Sequence, residues 1–247
     1  MTSSRDIPAG DPTAVAVVQA IREGDVAGLR QLLAGDPGLA RARIVDDRGV
    51  CRTLLHVAAD WPGHFPNGPE TVAVLVAAGA DVNAAAPQAG PGGPAETALH
   101  WAASSDDVGV LDALLDGGAD IEAPGAVFTA GTAMSDAVVF AQWRAARRLL
   151  ERGATTTLWQ AAALGLLDSV RRHLSTDPAP SPEQITNALW HACRGGQQAV
   201  AEALVERGAD PSWVGHDHKT PLDVARESGF PALVVWLEGL GARPARP

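Results

Sequence analysis

Apolar and polar positions along this chain fall into a phrase that returns: a threonine, two apolar residues, a polar or histidine position, one variable residue, then alanine. It reads Thr53-Leu-Leu-His56-Val-Ala58, Thr97-Ala-Leu-His100-Trp-Ala102 and Thr220-Pro-Leu-Asp223-Val-Ala225. A second phrase follows each copy about two dozen residues on, a spacing that marks repeat architectures. Its copies are Ala78-Gly-Ala-Asp-Val-Asn83, Gly118-Ala-Asp-Ile-Glu122, Arg207-Gly-Ala-Asp210 and the weaker Leu240-Gly-Ala242. Self-similarity of this kind predicts a stacked array in which each unit rests on its neighbours. Within a unit the threonine can satisfy backbone donors that open a helix. The leucine and alanines are small enough for neighbouring helices to approach closely. The glycine ends the second helix by turning left-handed at low cost.

The two phrases resemble the ankyrin repeat, and the resemblance covers nearly the whole chain. It implies helix–turn–helix units of about 33 residues, each with a projecting β-turn finger. The expected fold is all-α: an ankyrin-repeat solenoid of about seven such units, read as a single domain over 1–247. An N-terminal capping repeat is expected at 12–45, with helices over 14–22 and 26–33. Repeat 2 spans 51–95 and carries an inserted loop at 60–69 and an extended finger at 84–95. Repeat 3 follows at 96–130, repeat 4 at 131–154, repeat 5 at 155–182 and repeat 6 at 185–216. A C-terminal capping repeat closes the array at 218–243. His100 and Ser135 are 35 residues apart, whereas Ser135 and Trp159 are only 24 apart. A finger is therefore expected to be missing between units four and five.

Charge and cysteine content narrow the function. Lys and Arg number 19 against 29 Asp and Glu, for a net charge of −10, and Lys219 is the only lysine. Phosphate-binding surfaces need clustered cations, so nucleic acid is not an expected partner. No apolar run reaches spanning length, so no membrane association is expected. Two cysteines, Cys51 and Cys193, form no disulfide framework and fit a reducing compartment, with the cytoplasm as the expected location. Heavy use of Ala, Arg, Gly and Pro suggests a GC-rich bacterial genome. A monomer is expected, and no cofactor or metal.

In ankyrin repeats the histidine of the first phrase bonds neighbouring loop backbone, so His56 and His100 are expected to be structural. The residue after it faces the concave groove in that family. Carried over, the groove row is Val57, Trp101, Asp136, Gln160, His191 and Val224, with Asp60, Ser104, Val139, Ala163, Arg194 and Glu227 one turn further on. This alignment puts Trp159 and Trp190 in place of the motif histidine. The expected partner-binding set is Val57, Asp60, Trp61, His64, Phe65, Trp101, Ser104, Asp136, Phe140, Gln160, His191 and Arg194. Aromatic anchors beside a few polar groups are the usual makeup of binding hot spots. The leading reading is a non-catalytic module that binds a protein partner, unidentified but partly basic, through groove and fingers.

The alternative is an atypical enzyme or small-molecule binder, with His64, Asp60, Asp136, His100 and Trp101 converging under the inserted loop for proton transfer. Other chemistry is weaker. His216 and His218 have metal-ligand spacing but sit in an expected solvated turn without a third ligand nearby. The run Gly90-Pro-Gly-Gly93 lacks the Lys-Ser/Thr and helix of a phosphate cradle. Neither cysteine has a local base to make it a nucleophile.

Overall fold

The computed structural model describes residues 5–87 and 95–245. The Gly90–Gly93 run and most of the 84–95 finger lie outside them. Fourteen α-helices follow one another in seven antiparallel pairs among the described residues. Chain contacts divide the molecule into two compact units, Met1–Ala154 and Thr155–Pro247.

The first unit holds four helix pairs: α1 (Pro12–Glu23) with α2 (Val26–Gly35), α3 (Leu54–Ala59) with α4 (Gly68–Ala77), α5 (Ala98–Ser104) with α6 (Val108–Asp116), and α7 (Ala133–Val139) with α8 (Trp143–Glu151). Asp11 accepts from the Thr13 amide, and Pro12 occupies the first turn, where a missing N–H costs nothing. Gly24 ends α1 at φ 68, and Asp25 at once caps α2 by accepting from the Gly28 amide. Each later first helix opens on a threonine in extended backbone, Thr53, Thr97 and Thr132. Leu55, Leu99, Met134 and the alanines that follow them are buried between the layers. A fully buried leucine contributes about 1.5–3 kcal/mol, so the repeated apolar positions carry the stack.

Short strands close the bases of the fingers. Strand β1 (Asp6–Pro8) pairs parallel with β2 (Arg43–Val45), which pairs antiparallel with β3 (Cys51–Thr53). Strand β4 (Ala85–Pro87) pairs antiparallel with β5 (Ala95–Thr97). Nothing in the repeat pattern announces β1. It is held by burial of Ile7 with Ile44 and by a two-pronged bond from Arg43 to Asp6, at 2.7 and 3.0 Å.

The second unit holds three pairs: α9 (Leu158–Ala163) with α10 (Leu167–Leu174), α11 (Pro182–Arg194) with α12 (Gln198–Glu206), and α13 (Pro221–Glu227) with α14 (Pro231–Gly239). Only residues 152–157 join α8 to α9. Helix α11 begins ahead of the expected repeat opening at 185, because Ser181 and Gln184 form a reciprocal capping box and Pro182 sits at the first position. Its core packs Ala161, Ala162, Leu189, Trp190, Ala192, Cys193, Leu222 and Ala225.

Candidate functional site

The motif histidines of the first unit are framework. His56 Nε2 lies 3.0 Å from the Glu96 carbonyl oxygen, and its Nδ1 lies 2.7 Å from Thr53 Oγ1. A carbonyl only accepts, so Nε2 carries the proton and Nδ1 accepts from the hydroxyl. His100 repeats the device: its Nδ1 accepts from the Thr97 amide at 3.2 Å, and Nε2 faces the Gly131 carbonyl at 3.4 Å. Burial pushes the His56 pKa down to about 4 and lowers that of His100 in the same direction. Both rings are neutral connectors between one helix pair and the finger of the next.

The inserted loop is also tied down. The His64 amide donates to Asp107 Oδ2 at 2.6 Å, and Asp107 caps α6 through its other oxygen. His64 Nε2 lies 3.2 Å from the Ser105 carbonyl, and Asn67 donates to the Gly24 carbonyl at 3.0 Å. The loop thereby spans from the first helix pair to the third. Trp61 at its tip is left 79% exposed, and Phe65 is half-buried. Asp60 receives Arg52 at 3.0 Å and Arg22 at 3.4 Å.

Around Trp101 the groove row contains a feature that its residue types did not announce. The half-buried indole lies edge-on to His56, with ring centres 4.9 Å apart, and donates to Glu96 Oε2 at 3.1 Å. Glu96 is 5% exposed and Asp136 1%. No donor reaches either oxygen of the Asp136 carboxyl. Burial first, then the charge of Glu96 and a bond shared with it, pushes the Asp136 pKa up to about 8. Two carboxylates cannot bond each other, but an acid and a carboxylate can, so at neutral pH the Asp136 proton serves both.

The residues of the enzymatic alternative are each engaged by framework partners, and of them Trp101, His100 and Asp136 gather around Glu96. Asp60 is engaged by two arginines, His64 by the 105–107 turn, His100 by Thr97 and Gly131, and Asp136 faces Glu96. Val57 and Asp136 are buried; Ser104 is half-buried and bonds back to the Trp101 carbonyl at 3.0 Å. Phe140 is 43% exposed and meets Phe128, itself 70% exposed, with ring centres 5.8 Å apart. Phe128 sits in a finger turn outside any repeated phrase, and its one sequence signal is an aromatic flanked by glycine and proline.

In the second unit the carried-over row needs a correction at one position. Gln160, not Trp159, occupies the histidine position: it is buried and closes a capping box with Thr157, accepting from the Thr157 amide at 2.8 Å. Gln160 therefore does not face the groove. Trp190 does replace the histidine and reproduces its bond, donating from Nε1 to the Lys219 carbonyl at 3.0 Å. The neighbouring His191 is 5% exposed, with ring centres 4.6 Å from Trp159 and 5.0 Å from Trp190. Its Nδ1 has no partner, and burial pushes its pKa down to about 3. Trp213 and His216, absent from the expected set, extend this ring cluster. Arg194 lies 5.8 Å from the Trp190 ring centre, and burial lowers its pKa. His216 is held by Asn187 at 2.9 Å. Among the described residues no group of three or more His, Cys, Asp or Glu is arranged to hold a metal ion. Burial pushes the Cys193 thiol up to about 12, whereas Cys51 is only partly buried.

Helix pairs joined through capped, histidine-bonded fingers define a class of repeat protein. The Ankyrin repeat family matches residues 51–86 and 96–126. The fold is similar to the human ASB11 ankyrin repeat domain at a TM-score of 0.52, with 20% identity over 90% of this chain and 97% of that one. It is also similar to the ankyrin repeat domain of Bcl-3, a member of the IkappaB protein family, at a TM-score of 0.55, with 27% identity over 93% of this chain and 99% of that one. The chain thus matches ankyrin repeats over residues 51–86 and 96–126 and has the ankyrin solenoid fold.

Proposed function

We propose that the chain is a protein-binding module that takes a partly basic partner on the groove and fingers of its first unit. Ankyrin repeat domains are in general protein–protein interaction modules. The observation that carries the finer reading is the set of aromatic rings this unit leaves in water, Trp61, Phe128 and Phe140, besides the half-buried Trp101. Aromatic side chains bury large areas on binding and dominate interface energetics. The same unit carries 11 Lys and Arg against 19 Asp and Glu, so most of the chain's negative charge is in it. That field favours a cationic partner and speeds encounter. Among the described residues no helix is long and apolar enough to cross a membrane. Two free cysteines fit a reducing compartment, and we place the protein in the cytoplasm as a monomer.

The test is affinity capture by the wild-type chain against a Trp61→Ala, Phe128→Ala, Phe140→Ala variant, with circular dichroism to verify folding. We expect one specific protein to be lost from the variant and its binding to the wild type to weaken with salt. Retention of every captured protein by the folded variant would move the site elsewhere.

A further inference from the structure

We propose that Glu96 and Asp136 form a proton-operated clasp that fastens helix α7 and the 125–131 finger to strand β5, closed with one shared proton and released when that proton leaves. The proposal goes beyond partner binding and does not depend on it. Asp136 stands in the middle of α7 and Glu96 in the middle of β5, so the pair joins consecutive repeats. Both carboxyls are nearly sealed from water, and no donor reaches Asp136. An unpaired buried carboxylate is costly, and two of them side by side are costlier still, so the site keeps a proton instead. With the proton in place, the Asp136 hydroxyl donates to the Glu96 carboxylate and the pair bears one negative charge. Without it, two like charges are confined together and α7 is pushed from β5.

The titratable groups that the neighbouring elements present have their own partners. On α5 the side chains facing the pair are Trp101, which donates to Glu96, and His100, which is neutral and bonded to the Gly131 carbonyl. From α3, His56 reaches only the Glu96 carbonyl oxygen. On α8, Arg148 and Arg152 turn to α6, where Asp112 accepts from both at 2.8 and 2.7 Å and Asp116 from Arg152 at 2.7 Å. The finger leans on the same strand: a side chain on Gly125 would collide with the Ala95 carbonyl oxygen. The finger is closed by the Gly125 and Ala126 amides, which both donate to the Gly131 carbonyl. Release of the clasp therefore frees Phe128 with its finger as a group.

The sign follows from linkage. The Asp136 carboxyl binds its proton more tightly folded than unfolded. The stability it lends is complete below the ordinary aspartate range and is lost as pH rises, until the folded-state value near 8 is passed. Two measurements on the full chain test this. Carboxyl carbon-13 NMR is expected to find one Asp or Glu titrating near pH 8 in the wild type, absent in Asp136→Asn. Amide exchange at fixed temperature, corrected for the intrinsic pH dependence, is expected to give α7 an opening constant that rises about tenfold per pH unit. From pH 6.5, where the nearby histidines are neutral, the full rise is about thirtyfold, about half of that factor being reached at pH 8 and the rest on the plateau above. Asp136→Asn and Glu96→Gln should each flatten that slope. Wild-type carboxyls that all titrate below pH 6, or an unchanged slope in either variant, would overturn the clasp. The NMR measurement decides the matter even where a variant does not fold.

Discussion

Lowering the pH from 7 to 5 is expected to cost the second unit about 2 kcal/mol of stability through one residue, His191. Its ring is sealed between Trp159 and Trp190, its Nδ1 meets no partner, and both His216 and Arg194 oppose a positive charge there. The folded pKa, about 3, lies below the ordinary histidine value of 6.5, so the unfolded chain takes up the proton first. The stability it represents is present above pH 6.5 and drains away as the pH falls toward 3, by about 1.4 kcal/mol per unit. His191→Phe keeps an aromatic ring in the slot and has nothing to protonate. It should match the wild type or exceed it at pH 7 and lack this component of acid sensitivity. Urea unfolding at pH 7 and pH 5, followed through exchange of the α11 amides, measures the difference. Equal pH dependence in wild type and His191→Phe would remove His191 as the cause. In the first unit the effect is blunted, because His56 and Asp136 have slopes of opposite sign between pH 4 and 6.5.

The larger single-site loss is expected from Gly195→Ala. Gly195 caps α11 at φ −85, a conformation alanine adopts without strain. The obstacle is steric: a Cβ there would land on the carbonyl oxygen of Ala163, and 3.0 Å from its carbonyl carbon. Both atoms belong to backbone at the end of α9, where no side chain can rotate away. Helix α11 must withdraw from α9, opening a seam lined by Ala161, Ala162, Ala192 and Cys193, at a cost of about 3 kcal/mol or more. Gly239→Ala is the matched control, since nothing lies within 4 Å of its added carbon. It should stay within about 0.5 kcal/mol of the wild type or gain slightly from lower chain entropy. Thermal and urea melts of both variants decide, and a Gly195→Ala protein that melts like the control would disprove the steric account.

The helix pairs were legible because each opening is local chemistry. Thr53, Thr97 and Thr220 cap their helices within three residues, and the glycines after the second helices turn left-handed within one. Failures arose where the decisive partner is distant or where a large side chain draws attention from a smaller one. Ile7 becomes a strand residue only because Ile44 arrives beside it. Trp159 looked like the substitute for the motif histidine, yet Gln160 has the acceptor that closes the cap. Phe128 and Trp213 sit in fingers, where no periodicity points to them. Groove exposure was the least legible property. The position after the motif histidine names a face of the helix, but depth depends on what a neighbouring repeat lays over it. Asp136, expected to meet a partner, meets Glu96 instead.

The contrast between the two thiols makes the native chain a ready-made single-label protein. Cys193, buried and far too basic to ionise at neutral pH, is shielded from alkylating reagents in the folded state, while Cys51 at the edge of β3 keeps some access to water. A maleimide dye at pH 7 therefore attaches beside the first two helix pairs without any engineered cysteine. Uptake of a second dye then becomes a chemical clock for the opening of α11.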